Sequence, residues 1–317
     1  FPLDIPFLIE NFLSSWNPNL IFLVDSEIWP NLILNAKIKR IPIALINARI
    51  TKKTYNKWKL FSKTAKYIFG VFSLCLTSNR ETAKYLDKFN ARNIIYSGNI
   101  KLIKSDEKKS NINLNEKILV DNKFWLAVST HRNEEKFCLE THIELKKKIK
   151  TIITLIVPRH INRVYEIEKI CNQLNLSSQI LNRDQKILND KEVIIINSFG
   201  VLADYYKYSK SVLIGKSLEK RFISDGGQNP IDAAYSGCKV YHGPFVSNFE
   251  EIYQIFAEHN ISKIVHSPKE LAENLEIDIN NYSKDNHNFS KLLKELSHKT
   301  LQDVMKNIDL FLLNEIK

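Results

Sequence analysis

Short apolar runs rich in β-branched residues recur along the chain, with predicted helical stretches between them. They read LIFLV, IPIALIN, LCLTS and NIIYSGNI, and then FWLAVST, TIITLIV, EVIIINS, SVLIGKS, KVYHG and KIVHS. Continuous apolar strands that alternate with helices are typical of parallel sheets covered by helices. The pattern therefore predicts an α/β protein with doubly wound parallel sheets.

The polar stretch KSDEKKSNINLNEK, residues 104–117, has almost no apolar periodicity and separates two series of strands. Such a stretch is typical of a linker. We predict an N-terminal domain over residues 1–108, a linker over 109–122, and a C-terminal domain over 123–317 that ends in amphipathic closing helices. Two such domains place the expected ligand site in a cleft between the carboxyl ends of their strands.

Composition adds a preference for anionic partners. The chain has 317 residues, 44% of them hydrophobic, which is enough for two cores, and a formal net charge of +11. That charge suggests nucleic acid, a membrane surface or a phosphorylated small molecule, but Lys is dispersed among Asn and Ile, so compositional bias is an alternative. The chain does not begin with Met, and its first strand starts only near Leu20. We therefore expect it to be part of a longer protein.

Several common sites are excluded by their missing motifs. The four Cys residues form no C-x-x-C pair, and no H-E-x-x-H occurs, so we expect reduced, buried thiols and no metal. IGKS resembles the end of a P-loop, but Lys210 stands where that motif needs Gly. No G-x-G-x-x-G follows a strand either.

The stretch SDGGQNPIDAAYSG predicts a short helix with an anion site at its start. Asn229 and Pro230 suit the N-cap and the first helical position, and Gly237 suits the position after the helix end. Gly226 and Gly227 allow close approach of a backbone to the free N–H groups at the helix start, which favour phosphate.

Three other polar positions have two interpretations each. Asp232 either caps this helix or accepts hydrogen bonds from a ribose diol. Arg159, at the end of the strand in LIVPRH, either contacts a phosphate or is solvated beside a helix start. In STHRNEE, Glu134 and Glu135 begin a helix with a capping signature, and His131 is more typical of a structural residue.

Seven motifs together resemble one enzyme family. They are VDSEIWPNLI, INARIT, SGNIK, STHRNEE, VPRH, GGQNPIDAA and GPFVSNFEEI, in that order, and the match runs from Pro2 to about Phe256. The chain resembles the 3-deoxy-D-manno-octulosonic acid (Kdo) transferases, inverting enzymes that move Kdo from CMP-Kdo to a lipid A precursor. The resemblance implies a GT-B fold with an acceptor-binding N-terminal domain, a CMP-binding C-terminal domain, no metal, and no cofactor besides the donor substrate CMP-Kdo.

Carried over position by position, the resemblance implies transition-state stabilisers at Glu27 and Lys101. The CMP contacts that it implies are Pro158, Arg159, Phe199, Gly200, Val201, Asn229, Pro230, Ile231 and Asp232. Trp29 and Pro30 would form a rigid turn that holds Glu27 at the cleft. The alternative is that Asp25 and Glu27 merely cap the following helix.

The sequence departs from the family pattern at defined positions. The family's general base, a Glu in a GASVGE-like motif upstream of PLDIPF, has no counterpart in these residues. Val201 and Asp232 stand where the family has Glu, and Gln228 where it has His. These differences concern catalysis and nucleotide binding and leave the fold unaffected.

The resemblance also implies partners and a location. They are CMP-Kdo, the lipid A precursor lipid IVA and an anionic membrane surface, with no nucleic acid, at the cytoplasmic face of the bacterial inner membrane. Two alternatives are another GT-B nucleotide-sugar enzyme and a non-catalytic basic module that binds nucleic acid or anionic lipid.

Overall fold

The chain consists of two compact units, each with one parallel sheet. The computed structural model describes residues 2–25, 27–103, 113–281 and 286–315, with no side chains described at 286–288. Unit 1 comprises Phe1–Ile103 and Lys294–Lys317, and unit 2 comprises Lys104–Leu293. Both sheets are entirely parallel, which confirms the predicted α/β class.

Unit 1 contains a four-stranded sheet in the order β1-β2-β3-β4. Its strands are β1 (Ile21–Val24), β2 (Ile43–Ala48), β3 (Leu74–Thr77) and β4 (Ile94–Tyr96). Its helices are α1 (Pro6–Trp16), α2 (Pro30–Ile38), α3 (Lys52–Leu60), α4 (Ser62–Phe69) and α5 (Arg80–Lys88), and a 3-10 turn spans Ile100–Leu102.

Unit 2 contains a seven-stranded sheet in the order β11-β10-β9-β5-β6-β8-β7. Its strands are β5 (Phe124–Thr130), β6 (Ile153–Pro158), β7 (Ser178–Leu181), β8 (Val193–Ile196), β9 (Ser211–Ile214), β10 (Lys239–His242) and β11 (Ser262–Ile264). Its helices are α6 (Glu116–Asp121), α7 (Glu134–Lys146), α8 (Val164–Gln173), α9 (Leu202–Tyr206), α10 (Ile231–Tyr235), α11 (Glu250–Glu258) and α12 (Pro268–Asn280), and 3-10 turns span Ile161–Arg163 and Lys220–Phe222.

The last helix, α13 (Asn286–Glu315), leaves unit 2 and ends in unit 1. Val304 and Phe311 are seven residues apart, so they share one helix face, and they are buried in the cluster that holds Ile46 of β2 and Leu76 of β3. This part of α13 thus covers one face of the first sheet, whereas our predicted boundary assigned all of 123–317 to the C-terminal domain.

The predicted linker also differs in detail. Residues 104–112 lie outside the described part of the chain, and α6 (Glu116–Asp121) occupies most of the rest of 109–122, with Leu119 buried. Among the described helices, none is both long and apolar enough to cross a bilayer.

The order of strands in unit 2 defines its natural binding edge. From β5 the chain first adds β6 on one side, and later adds β9 on the other side. Where the strand order reverses in this way, the connections that leave neighbouring strands run to opposite faces of the sheet. They leave a crevice outside the carboxyl ends of the strands, where ligands of doubly wound folds bind. The loops after β5, β6 and β9 therefore border the expected binding crevice.

Candidate functional site

At the carboxyl edge of the first sheet, three polar side chains meet. The Asp25 carboxylate pairs with Lys101 Nζ at 3.1 Å and accepts a hydrogen bond from Asn47 Nδ2 at 2.5 Å. Asn47 Oδ1 accepts from the backbone N–H of Ile100 at 3.1 Å. Asp25 and Asn47 both have left-handed backbones, with φ of 61° and 55°. The ends of β1 and β2 and the segment after β4 thus converge on one charge pair.

Glu27 lies two residues after Asp25 and is exposed. Its Oε2 accepts a hydrogen bond from Trp29 Nε1 at 2.8 Å, so the indole orients the carboxylate. Trp29 is the N-cap residue of α2 and Pro30 its first helical residue, as expected for a rigid turn.

The first turn of α2 is capped from elsewhere in the sequence. The Asp4 carboxylate accepts from the backbone N–H groups of Asn31 at 3.0 Å and Leu32 at 2.9 Å. The alternative that Asp25 and Glu27 cap this helix is therefore wrong, because Asp4 satisfies those N–H groups while Asp25 and Glu27 bind other side chains.

At the carboxyl edge of the second sheet, a buried carboxylate organises the loops. The side chain of Glu134 is 0% exposed and accepts four backbone N–H bonds, from His131 at 2.9 Å and from residues 216, 217 and 218 at 2.7, 2.8 and 3.0 Å. It therefore ties the loop after β5 to the loop after β9. A Cβ at Gly215 would lie 2.5 Å from Ser129 O, so the close contact of these loops requires glycine there.

Glu135 is buried beside Glu134 and holds the loop after β6. It accepts bonds from Arg163 Nη1 at 2.6 Å and Nη2 at 3.1 Å, in the forked arrangement typical of guanidinium and carboxylate. α7 begins at Glu134 as predicted, but its N-cap Asn133 makes no side-chain capping bond. The expected capping signature is thus present only in its Glu134 half, because Glu134 Oε2 accepts the His131 N–H three residues earlier while Glu135 pairs with Arg163.

A pocket of about 270 Å³ opens beside these loops. Its lining is His131, Arg132, His160, Arg163, Glu166, Arg221 and Phe222. Hydrogen bonds from Arg132 and Arg163 hold the pKa of the Glu166 carboxyl below its usual value. Burial, together with the nearby His160 and Lys216, lowers the pKa of His131, whose Nδ1 lies 3.0 Å from Ser129 O. The pocket is therefore rich in cations, with one carboxylate among its lining residues.

The predicted CMP contacts after β6, Pro158 and Arg159, directly precede the pocket residue His160 in the sequence. Pro158 is the buried last residue of β6. Arg159 follows with an exposed side chain, while its backbone N–H donates to Thr130 O at 3.0 Å. The main chain at the end of β6 is thus fixed to β5, and Arg159 directly follows the strand end.

The predicted contacts after β8 have mixed exposure. Phe199 is exposed, Gly200 has a left-handed backbone with φ of 74°, and Val201 is buried just before α9. A Cβ at Gly200 would meet no heavy atom within 4 Å, so the glycine is required by its backbone conformation and not by crowding.

The predicted helix start is present, one residue later than expected. Asn229 Oδ1 accepts from the backbone N–H of Ile231 at 2.9 Å, with Pro230 as N-cap, and Gly237 follows the helix end with φ of 83°. Asp232 is exposed in the first turn, and the capping bond described at this helix comes from Asn229. The interpretation of Asp232 as the cap is therefore not supported.

The glycines before this helix contact their own chain. A Cβ at Gly226 would lie 2.2 Å from Phe245 O, and one at Gly227 would lie 2.9 Å from Val246 Cα. The close approach that they allow is thus to the loop after β10. Among the described residues, no group of three or more side chains is arranged to hold a metal ion.

Sequence reasoning missed Asp25, Asn47 and Asp4 as partners and missed the role of the Glu134 carboxylate. For Asp25, the available signal was its position directly after a strand, at the carboxyl edge of the sheet. For Glu134 the signal was its place after the β5 loop, but its partners at residues 216–218 lie more than 80 positions away.

Comparison with known proteins confirms the resemblance read from the motifs. Residues 1–103 match the family model of 3-deoxy-D-manno-octulosonic-acid transferase (kdotransferase). A probable mitochondrial 3-deoxy-D-manno-octulosonic acid transferase of Arabidopsis thaliana is 28% identical over 88% of this chain and 65% of its own length. The Haemophilus influenzae 3-deoxy-D-manno-octulosonic acid transferase is 28% identical over 81% of this chain. It is covered over 60% of its own length, so the chain spans less than two thirds of both relatives.

Solved structures confirm the fold. The apo structure of OtsA superposes with a TM-score of 0.59 at 12% identity, over 99% of this chain and 77% of that one. At this identity the likeness concerns architecture alone, and that architecture is the GT-B fold expected from the resemblance.

Proposed function

We propose that this chain acts in an inverting glycosyltransferase that moves Kdo from CMP-Kdo to a lipid A precursor, lipid IVA, in lipopolysaccharide synthesis. The observation that carries the proposal is the cationic carboxyl edge of unit 2, where Arg159 and the pocket of His131, Arg132 and Arg221 lie on loops fixed by Glu134 and Glu135. The similarity to Kdo transferases over most of the chain supports the choice of sugar and nucleotide.

The donor has the charges that such an edge suits. CMP-Kdo carries a phosphodiester and a sugar carboxylate, and both are ionised at neutral pH. Loops fixed by buried carboxylates hold their donor groups in place before substrate arrives, which lowers the reorganisation cost of binding an anion. An exposed guanidinium such as that of Arg159 offers a forked contact to phosphate oxygens.

In the proposed reaction, a hydroxyl of the acceptor attacks the anomeric carbon of Kdo. The bond from that carbon to the phosphate oxygen breaks, and CMP leaves with the electron pair. Negative charge grows on the departing phosphate, where Arg159 and the backbone N–H groups near Asn229 stabilise it. The exposed carboxylate of Asp232 accepts hydrogen bonds from the ribose diol.

Unit 1 contributes one cation and one carboxylate. Lys101, held by Asp25, pairs with the sugar carboxylate or the phosphate, and Glu27, oriented by Trp29, hydrogen-bonds a sugar hydroxyl. The proton of the attacking hydroxyl passes to a general base, which the family resemblance assigns to a Glu in a motif that these residues lack. The reaction as proposed requires neither metal nor cofactor.

The acceptor and the location follow from the same proposal. Lipid IVA is an anionic lipid, so the enzyme works at a membrane surface, which we place at the cytoplasmic face of the bacterial inner membrane. The net charge of +11 favours an anionic leaflet. Nucleic acid is not among the proposed partners.

The test is CMP binding by isothermal calorimetry with the whole chain. We expect Arg159→Ala to weaken CMP binding about 10- to 100-fold, the range for one hydrogen-bonded charged group. Arg183→Ala, which removes another exposed guanidinium of unit 2, is the matched control and should leave the affinity unchanged.

Two outcomes would contradict the proposal. Equal CMP affinity in the Arg159 and Arg183 variants would remove Arg159 from the site. Tighter binding of UDP than of CMP would favour another nucleotide-sugar enzyme of the same fold.

A further inference from the structure

Helix α3 and the turn into α4 form a basic surface with an apolar tip. α3 has no buried residue, and exposed lysines line it and the start of α4, namely Lys52, Lys53, Lys57, Lys59, Lys63 and Lys66. At the turn between the helices, Leu60 is 79% exposed and Phe61 is 68% exposed. We call residues 52–66 the α3–α4 surface.

The sequence around this surface carries charges of one sign. No Asp or Glu occurs from residue 50 to residue 80. The α3–α4 surface therefore carries an excess of positive charge, which favours an anionic partner.

The inner side of α3 is fixed by aromatic contacts. Tyr55 stacks on Tyr85 with ring centroids 4.2 Å apart, and Trp58 packs edge-on against Phe69 at 5.3 Å. The Thr51 side chain caps the helix by accepting from Thr54 N at 3.2 Å. Because these contacts anchor one side of the helix, the lysines and the Leu60-Phe61 tip are presented from a rigid platform.

We propose that the α3–α4 surface docks on an anionic phospholipid bilayer, with its lysines at the level of the lipid phosphates and Leu60 and Phe61 inserted at the boundary between headgroups and acyl chains. Nucleic acid would use the lysines but would leave two large apolar side chains in water. A bilayer interface accommodates both features, since it combines anionic headgroups with hydrocarbon. The inference deepens the proposed membrane location and rests on it only for the choice of an anionic bilayer as partner.

The first measurement is co-sedimentation of the whole chain with vesicles. We expect binding to phosphatidylethanolamine–phosphatidylglycerol vesicles that weakens as salt is raised, and little binding to pure phosphatidylcholine. Equal binding to both vesicle types, or binding to neither, would overturn the proposal.

The second measurement separates this surface from overall charge. Each lysine near an anionic surface strengthens binding about fivefold, so Lys57→Gln, Lys59→Gln and Lys63→Gln combined should weaken vesicle binding on the order of 100-fold. The matched control combines Lys150→Gln, Lys169→Gln and Lys186→Gln, which are exposed on unit 2 and change the net charge equally. Equal losses in the two triple variants would mean that net charge alone binds the vesicle.

The third measurement tests insertion of the tip. Leu60→Ser with Phe61→Ser changes no charge and removes no buried group, and it should weaken vesicle binding about 10- to 100-fold. Unchanged vesicle binding in this variant would contradict insertion. A second contradicting outcome concerns the variant with Lys57, Lys59 and Lys63 changed to Gln. It is that this variant loses binding of random duplex DNA but keeps vesicle binding.

CMP affinity, measured in the same variants, distinguishes the two proposals. Two variants of this surface should lose vesicle binding and keep normal CMP affinity. One is the triple change of Lys57, Lys59 and Lys63, and the other is the double change of Leu60 and Phe61. A chain that docks through the α3–α4 surface but binds no CMP would refute the proposed transferase and leave the docking surface intact.

Discussion

The carboxyl edges of the two sheets are built in opposite ways. In unit 2, Glu134 is fully buried and binds four backbone N–H groups, so it is part of the architecture. In unit 1, the side chains of Asp25 and Lys101 are 38% and 41% exposed, and the Asp25 carboxylate bonds other side chains. The edge of unit 2 is rigid because a charge is buried in it. The edge of unit 1 keeps its charges within reach of solvent.

This difference separates residues that hold a site from residues that are available to a ligand. A buried carboxylate that satisfies four N–H groups has no remaining capacity for substrate, and its loss leaves those donors unpaired. An exposed ion pair contributes little to stability and exchanges partners easily. We therefore assign Glu134 a positioning role and Lys101 a contact role in the proposed reaction.

The largest expected effect is that of Glu134→Ala. Removing this carboxylate should lower the free energy of unfolding by about 3 to 5 kcal/mol, because four buried donors lose their acceptor. Urea titration followed by circular dichroism measures the change. Asp25→Ala is the control from the other edge, and it should cost at most about 1 kcal/mol.

A loss in Glu134→Ala no greater than in Asp25→Ala would break the comparison. Glu134→Gln sharpens it, since the amide keeps one acceptor oxygen but turns an NH₂ donor toward backbone donors. We expect an intermediate cost for Gln, at about 2 to 3 kcal/mol.

The second prediction uses pH at the edge of unit 2. Burial lowers the pKa of His242, the last residue of β10, from 6.5 to about 4, although its Nδ1 bonds Gly243 O. The unfolded chain therefore takes up a proton first as pH falls, so this stability is fully present above pH 6.5 and is lost between pH 6.5 and 4. We expect a loss of about 2 kcal/mol between pH 7 and pH 5.

The measurement compares urea midpoints at pH 7 and pH 5. His242→Gln should flatten the pH dependence, whereas His259→Gln, which changes an exposed histidine, should leave it as in the unchanged protein. If the His242 variant retained the full slope, the edge of unit 2 would not be as closed to protons as its burial implies.

The smallest effect concerns the start of α2 in unit 1. Asp4→Ala should lower the free energy of unfolding by about 1 to 2 kcal/mol, because the Asn31 and Leu32 N–H groups lose their cap. Glu27→Ala should change it by less than about 0.5 kcal/mol, since Glu27 is exposed and bonds only the Trp29 indole among the described residues. Differential scanning fluorimetry shows which of the two variants is less stable. A larger loss of stability in Glu27→Ala than in Asp4→Ala would mean that Glu27 caps the helix.

Local signals in the sequence identified much of the fold. The β-branched runs predicted ten of the strands, and Asn229 and Gly237 marked the ends of α10 to within one residue. The edge strand β7 (Ser178–Leu181) was missed, because an edge strand is partly solvated and needs no continuous apolar run. The collinear motifs also indicated a resemblance to the Kdo transferases, and known Kdo transferases are similar to this chain.

What the sequence determined by itself is therefore whatever depends on neighbours in the chain: strand and helix identity, the ends of α10, and the collinear motifs. Only the tertiary structure decided which distant groups meet. It placed Val304 and Phe311 on the first sheet, gave the cap of α2 to Asp4, and gave the N–H groups of residues 216–218 to Glu134. Burial and hydrogen bonding act between surfaces in space, so a residue's partner is set by packing and not by its separation along the chain.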